Sequence, residues 1–206
     1  MAGRVILATG RFIVRKTDLV LPGRLAVVVE RTYRSENPRT GLLGVGWNLA
    51  PWESTLSQSG TAYLLTRADQ SSYLLSGTGP GRWENQTEPA LRGAVLSPVG
   101  AGRQLRFKDG AVQRFEPIVG VANLWGLATL SDRHGNTVTV TRVAGSVGTT
   151  QGLRIASVTE PAGRSLLFSY DSLGRVAFLT DPLGRQVRYS YDPTGRVETV
   201  TDPAGG

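Results

Sequence analysis

Tyr170-Asp171-Ser172-Leu173-Gly174-Arg175 and, 21 residues later, Tyr191-Asp192-Pro193-Thr194-Gly195-Arg196 are two copies of one pattern, and their spacing decides the fold. Asp181-Pro182-Leu183-Gly184 stands between them with the same acidic first and glycine fourth residue. Asp132-Arg133-His134-Gly135, Glu160-Pro161-Ala162-Gly163 and Asp202-Pro203-Ala204-Gly205 extend the series to six tetrads, whose starts are 28, 11, 10, 11 and 10 residues apart. Each has the chemistry of a type I turn. The first carboxylate accepts a main-chain N–H two residues on, proline presets φ in four of the six, and glycine takes the left-handed conformation that follows. Such turns join antiparallel strands.

The interval leaves about six residues per strand, close to the commonest strand length, so two turns and two strands form a 21-residue unit. Period-two alternation puts Leu166, Phe168 and Tyr170 on one face, with Val187, Tyr189 and Tyr191 as their equivalents and Gln186, Arg188 and Ser190 opposite. A sheet with one apolar face must cover it, by curling or by meeting another sheet. The 28-residue gap is one unit plus seven, and the small polar stretch 144–152 reads as an exposed insertion.

Upstream, Arg11 to Arg15, Leu19 to Leu21 and Leu25 to Glu30 read as β segments around a turn at Pro22-Gly23. Hairpins are expected around Asp69 and, more strongly marked, around Asp109-Gly110. The run from Gly41 to Trp47 lacks the spacing and the Gly-Lys-Ser/Thr ending of a phosphate loop, so tight backbone packing beside Trp47 is expected. Trp83 and Trp125 read as core or rim packing. The fold class is therefore all-β: consecutive antiparallel hairpins forming a curved, open β-shell segment.

The absence of cysteine removes disulfides, thiolate metal sites and thiol nucleophiles. No apolar run reaches the length of a membrane span, and the opening residues are too short for a secretory h-region. Of 23 basic residues only Lys16 and Lys108 are lysine, and the arginines are dispersed, mostly behind turn glycines. Dispersed charge fits solvated strands better than a nucleic-acid groove. His134, the single histidine, sits in a turn tetrad, and no Gly-x-Ser-x-Gly setting exists. The turn acids are explained by their turns, so neither a carboxylate pair for hydrolysis nor a calcium loop is expected. The expectation is a non-enzymatic chain with no cofactor and no metal.

Thr9-Gly10-Arg11-Phe12, Thr17-Asp18-Leu19, Leu21-Pro22-Gly23, Arg31-Thr32-Tyr33-Arg34-Ser35 and Gly44-Val45-Gly46-Trp47 resemble the amino-terminal module of bacterial Rhs proteins. The Tyr-Asp-x-x-Gly-Arg units at 170–175 and 191–196 resemble YD repeats. The resemblance implies a shell wound from a strip of hairpins that encloses a carboxy-terminal toxin or effector, as in related insecticidal toxin subunits, and related repeats form a barrel in animal teneurins. It divides the chain into an Rhs-type module at 1–60, an irregular hairpin region of the same stack at 61–125 and YD repeats at 126–206. Tyr170, Asp171, Gly174, Arg175, Asp181, Gly184, Tyr191, Asp192, Gly195 and Arg196 are the expected structural repeat residues. The implied partners are the remainder of a shell or another β edge and an enclosed effector, with export as part of a larger secretion-linked protein in bacterial competition. The chain reaches Gly206 inside a further turn, from which a fragment or an edge-docking segment is expected. A carbohydrate-binding or adhesion module is the rival, with Tyr170, Tyr189 and Tyr191 as stacking residues if exposed.

Overall fold

A computed structural model describes residues 3–6, 11–35, 38–147 and 150–206. Met1, Ala2, Leu7 and Ala8 of the opening, Thr9 and Gly10 of the first motif, and Gly148 and Thr149 of the insertion lie outside the described residues. The chain begins with an antiparallel sheet of β1 (Gly3–Ile6), β2 (Arg11–Leu21) and β3 (Val27–Arg34). A small hairpin of β4 (Thr40–Gly41) and β5 (Gly44–Val45) follows, and β6 (Trp47–Ala50) then pairs with β3 to complete the sheet. β2 is one long strand where the sequence suggested two segments. The break in pattern is a bulge between Thr17 and Leu19, and it falls at Asp18.

The next eight strands are β7 (Thr55–Ser59), β8 (Ala62–Thr66), β9 (Ser72–Gly79), β10 (Arg82–Glu84), β11 (Val95–Val99), β12 (Gly102–Arg106), β13 (Val112–Pro117) and β14 (Leu124–Ser131). Each pairs antiparallel with the next, and β14 also pairs with β7, Leu124 opposite Ser57 and Gly126 opposite Thr55. These strands close an eight-stranded barrel, which corrects the expectation of a purely open shell. Local alternation and turn chemistry are the same in an open strip and in a barrel. Closure rests on one pairing between strands far apart in sequence, which no local signal marks. Leu56, Tyr63, Leu65, Leu75, Leu96, Leu105 and Phe115 fill the interior, each at most 1% exposed.

From the barrel the sheet runs on as an open strip: β15 (Thr137–Arg142), β18 (Ile155–Thr159), β19 (Ser165–Tyr170), β20 (Val176–Thr180), β21 (Gln186–Tyr191) and β22 (Val197–Thr201). The insertion carries a separate hairpin, β16 (Ser146–Val147) with β17 (Thr150–Gln151). All six tetrads form the expected turn. In each, the glycine N–H donates to the carbonyl of the acidic residue at 2.9–3.1 Å, and that glycine has φ between 79° and 91°. No helix among the described residues is long and apolar enough to cross a membrane.

The strip's apolar face is covered by the amino-terminal sheet. One core holds Leu19, Leu21, Val27 and Val29 together with Leu166, Phe168, Val187 and Tyr189, and it continues into the barrel. The β4–β5 hairpin is the point of closest approach: Leu42 and Leu43 are fully buried, and a side chain at Gly44 would overlap the Gly195 carbonyl oxygen. Gly184 has the same left-handed backbone with open space around it. Gly184→Ala is therefore expected to cost about 1 kcal/mol, the backbone penalty alone. Gly44→Ala adds a clash with main chain and is expected to cost at least about 3 kcal/mol. Urea unfolding of the two variants measures the difference, and equal losses would refute this account of the docking.

Candidate functional site

The Tyr-Asp-x-x-Gly-Arg pattern builds a recurring cell. Tyr170 ends β19 just after a register slip, and its hydroxyl lies against the first residue of β18, donating to Ile155 O at 2.7 Å and accepting from Ile155 N–H at 2.8 Å. Tyr191 ends β21 in the same way and donates to Val176 O at 2.6 Å. The arginine before each acceptor covers the ring: Arg154 lies 5.2 Å from the Tyr170 centroid and Arg175 4.1 Å from that of Tyr191. Burial pushes both phenols well above their ordinary range, so they stay neutral donors.

Three of the turn arginines pair with the acid of their own turn. Asp171 Oδ1 accepts the N–H groups of Leu173 and Arg175, and its Oδ2 takes the Arg175 guanidinium at 2.7 Å. Arg185 and Arg164 return to Asp181 and Glu160 at 2.6 and 2.9 Å. Burial works against ionisation of Asp171 and Asp181, but these donors hold both carboxyls below the usual range. At Asp192 the Arg196 N–H does so first, and the Arg196 side chain turns to Thr194.

The amino-terminal module docks on the second cell. Val176 N–H donates to Leu42 O at 2.8 Å, in the place where Ile155 N–H meets a tyrosine, and Val45 N–H donates to Gly195 O at 2.9 Å. Gly41 lies where a side chain would overlap the Trp47 carbonyl, the tight packing expected of this run. Behind the hairpin, Glu53 accepts from Leu42 N–H and, at 2.7 Å, from Leu49 N–H. Farther along the seam Arg164 donates to Pro22 O. The bulge in β2 aims Asp18 into the core, where it meets Arg31 at 3.1 Å and accepts from the Tyr189 hydroxyl at 2.8 Å. Burial raises the Asp18 carboxyl, with Arg31 and Tyr189 opposing.

A cleft of about 260 Å³ opens at the seam and is lined by Asn48, Glu53, Gln70 and Arg142, among others. Burial raises Glu53 to about 7 against the pull of its two N–H donors and of Arg142. Burial lowers Arg142 to about 10, and Glu53 works against that fall. Arg142 donates to Leu153 O at 2.8 Å, Leu127 O at 3.1 Å and Trp52 O at 3.3 Å. Both charged groups are thus spent on main chain: the arrangement ties strands together and presents no nucleophile beside a base.

The structure brings Tyr170, Asp171, Gly174, Arg175, Tyr191, Asp192 and Gly195 to the docked edge of the strip, while Asp181 and Gly184 form a turn at its other edge. Arg196 begins the cell position on β22, just before Val197. Tyr189 is 6% exposed, and Tyr170 and Tyr191 are half-buried, packed against the core with an arginine over each ring. Sequence reasoning missed Glu53 and Arg142, and met Asp18 only within the Thr17-Asp18-Leu19 motif of the family resemblance.

Tyr170→Phe strips Ile155 of two hydrogen bonds and Tyr191→Phe strips Val176 of one, so expected losses are about 2 and about 1 kcal/mol in chemical denaturation. Glu53 titrates at about 7 in the fold against an ordinary 4.5, so its ionisation opposes folding. Stability rises as pH falls through about 7, by up to about 3 kcal/mol once pH is below 4.5. Asp171 and Asp181 have the opposite sign: their contribution is full above the ordinary value of 3.8 and is lost as pH falls from there through their lowered values in the fold. Melting temperature is expected to peak near pH 5, and Glu53→Gln is expected to flatten the alkaline limb.

Comparisons with known proteins agree with this architecture. The family described as Domain of unknown function (DUF6531) matches residues 3–75, and RHS Repeat matches residues 178–206. A 44-residue stretch, 21% of this chain, is 52% identical to the probable deoxyribonuclease RhsB of Dickeya dadantii (strain 3937), of which it spans 3%. The N-terminal domain of effector protein SpvB from Salmonella typhimurium strain LT2 superposes with a TM-score of 0.57 at 12% identity, over 90% of this chain and 98% of that one. That likeness concerns the fold. With the Tyr-Asp-x-x-Gly-Arg cells and the docked amino-terminal module, these matches support an Rhs/YD-repeat family and a structural Rhs-type segment.

Proposed function

We propose that this segment is a non-enzymatic base for an Rhs/YD-repeat shell that encloses or presents a carboxy-terminal toxin or effector. The observation that carries the reading is the open side of β22. Arg196-Val197 repeats Arg154-Ile155 and Arg175-Val176, so the strip offers the first half of another cell to a strand ending in tyrosine. Val197 and Val200 are only partly buried, where their equivalents Val176 and Leu179 are fully buried. A further strand would cover them and satisfy the edge.

Barrel and amino-terminal sheet suit a base because the strip is tied to both parts through main chain: β15 pairs with β14, and Val176 and Gly195 meet Leu42 and Val45. The names of the relatives, a probable deoxyribonuclease and an effector protein, support a link with toxic cargo. Pairing of Arg164, Arg175 and Arg185 with their own turn acids would lower the free positive charge that a wall presents to an enclosed polypeptide.

The reading is tested by trypsin digestion of a polypeptide that carries this segment ahead of its effector domain. The effector is expected to stay uncut while the seam is intact and to be cut rapidly when Gly44→Ala opens it. Equal cleavage of the two proteins would sink the proposal.

A further inference from the structure

Three strands of the strip end alike. β15, β19 and β21 are each six residues long, bury their second and fourth residues, and slip register against the following strand just before the last residue. Those last residues are Arg142, Tyr170 and Tyr191. Each donates to the carbonyl 15 residues earlier, on Leu127, Ile155 and Val176. All three acceptor residues are fully buried. The residue before the acceptor is arginine in the later cells, Arg154 and Arg175, and glycine in the first, Gly126. A Cβ at Gly126 would come within 2.7 Å of Ile118 Cδ1, 2.8 Å of Arg142 Nε and 3.0 Å of its Cζ.

We infer that β14 and β15 form a repeat cell with its two side chains exchanged. Gly126 stands where arginine belongs and Arg142 where tyrosine belongs, and one guanidinium serves as the latch between barrel and strip. The cation has not left the cell; it has moved to the other strand, and the glycine leaves room for it. The seven-residue insertion had hidden the equivalence, because Arg142 to Tyr170 is 28 residues where Tyr170 to Tyr191 is 21.

The reason for the exchange lies in the number of acceptors. A tyrosine offers one O–H, enough for Ile155 or Val176, whereas a guanidinium offers five N–H donors. At the first cell three carbonyls converge: Leu127 from the barrel, Trp52 from the loop after β6, and Leu153 from the return leg of the insertion. Arg142 serves all three and faces the Glu53 carboxylate, with the neutral phenols of Tyr170 and Tyr191 as the other titratable groups acting on that acid or acted on by it. Arg142 is thus a positioning residue for the seam. The inference stands on this geometry alone and does not depend on the shell reading.

A double-mutant cycle tests it. Arg142→Tyr is expected to lower the urea midpoint by about 1 M, because two buried carbonyls lose their donors. It is also expected to move the Glu53-dependent limb of the stability–pH profile to higher pH, a response that loss of packing would not produce. Gly126→Arg is expected to be at least as damaging. Gly126→Arg with Arg142→Tyr restores an ordinary cell and is expected to recover part of the loss, whereas a loss equal to the sum of the singles overturns the inference. An unmoved pH limb in Arg142→Tyr does the same. Should Gly126→Arg leave no folded protein, the mirror exchange decides. Tyr170→Arg sets its guanidinium against that of Arg154, and adding Arg154→Gly is expected to restore stability. A double variant no more stable than Tyr170→Arg overturns the exchange.

Discussion

The architecture depends on one strand changing partners. Along one edge β14 pairs with β7 from Leu124 to Gly126 and with β15 from Thr129 to Ser131, while its other edge stays on β13. Leu127 falls in the gap. A buried main-chain group left unpaired costs about 1–3 kcal/mol, and Leu127 is fully buried. Its N–H donates to Ser54 O at 3.0 Å and its C=O accepts from Arg142 at 3.1 Å, so the fork between closed barrel and open strip is satisfied on both sides. Without that satisfaction one sheet could not both close and continue.

The same demand explains the rest of the seam. At the starts of β18 and β20 a backbone pair is freed by a register slip, and something polar must reach it. The Tyr170 hydroxyl does so at Ile155, and at Val176 the task is shared between the Tyr191 hydroxyl and the Leu42 carbonyl of the docked hairpin. Docking therefore uses a hydrogen-bonding position that the repeat already possesses. Glu53 completes the arrangement by holding Leu42 and Leu49 from behind, at the cost of a buried carboxylate. The chemistry is that of holding strands at a fixed angle, which is what a scaffold needs.

Much of the strip was legible in advance. An acidic residue, a proline and a glycine at fixed offsets specify a turn through contacts within five residues, so the six turns and the strands between them follow from local chemistry. The hairpin at Asp109-Gly110 was legible for the same reason, with Phe107 N–H on Ala111 O at 2.8 Å. The return of Arg175 and Arg185 to the acids of their own turns was not legible, because an i,i+4 pair depends on the turn's geometry, which composition does not convey. Glu53 and Arg142 were passed over because each is an ordinary charged residue in sequence. Only burial and the distant groups they face make them the centre of the seam.

By itself, then, the sequence determined an all-β chain, its turns, its 21-residue unit and the face on which Leu166, Phe168, Val187 and Tyr189 would be buried. These are properties of period-two alternation and of short-range hydrogen bonding, both complete within a few residues. Tertiary structure alone decided that eight of the strands close into a barrel, that Leu42 and Val45 lock onto the second repeat, and that Arg142 takes a tyrosine's place. Those outcomes rest on pairings between residues far apart in the chain, where nothing local distinguishes a strand that continues a strip from one that turns back to meet its own beginning.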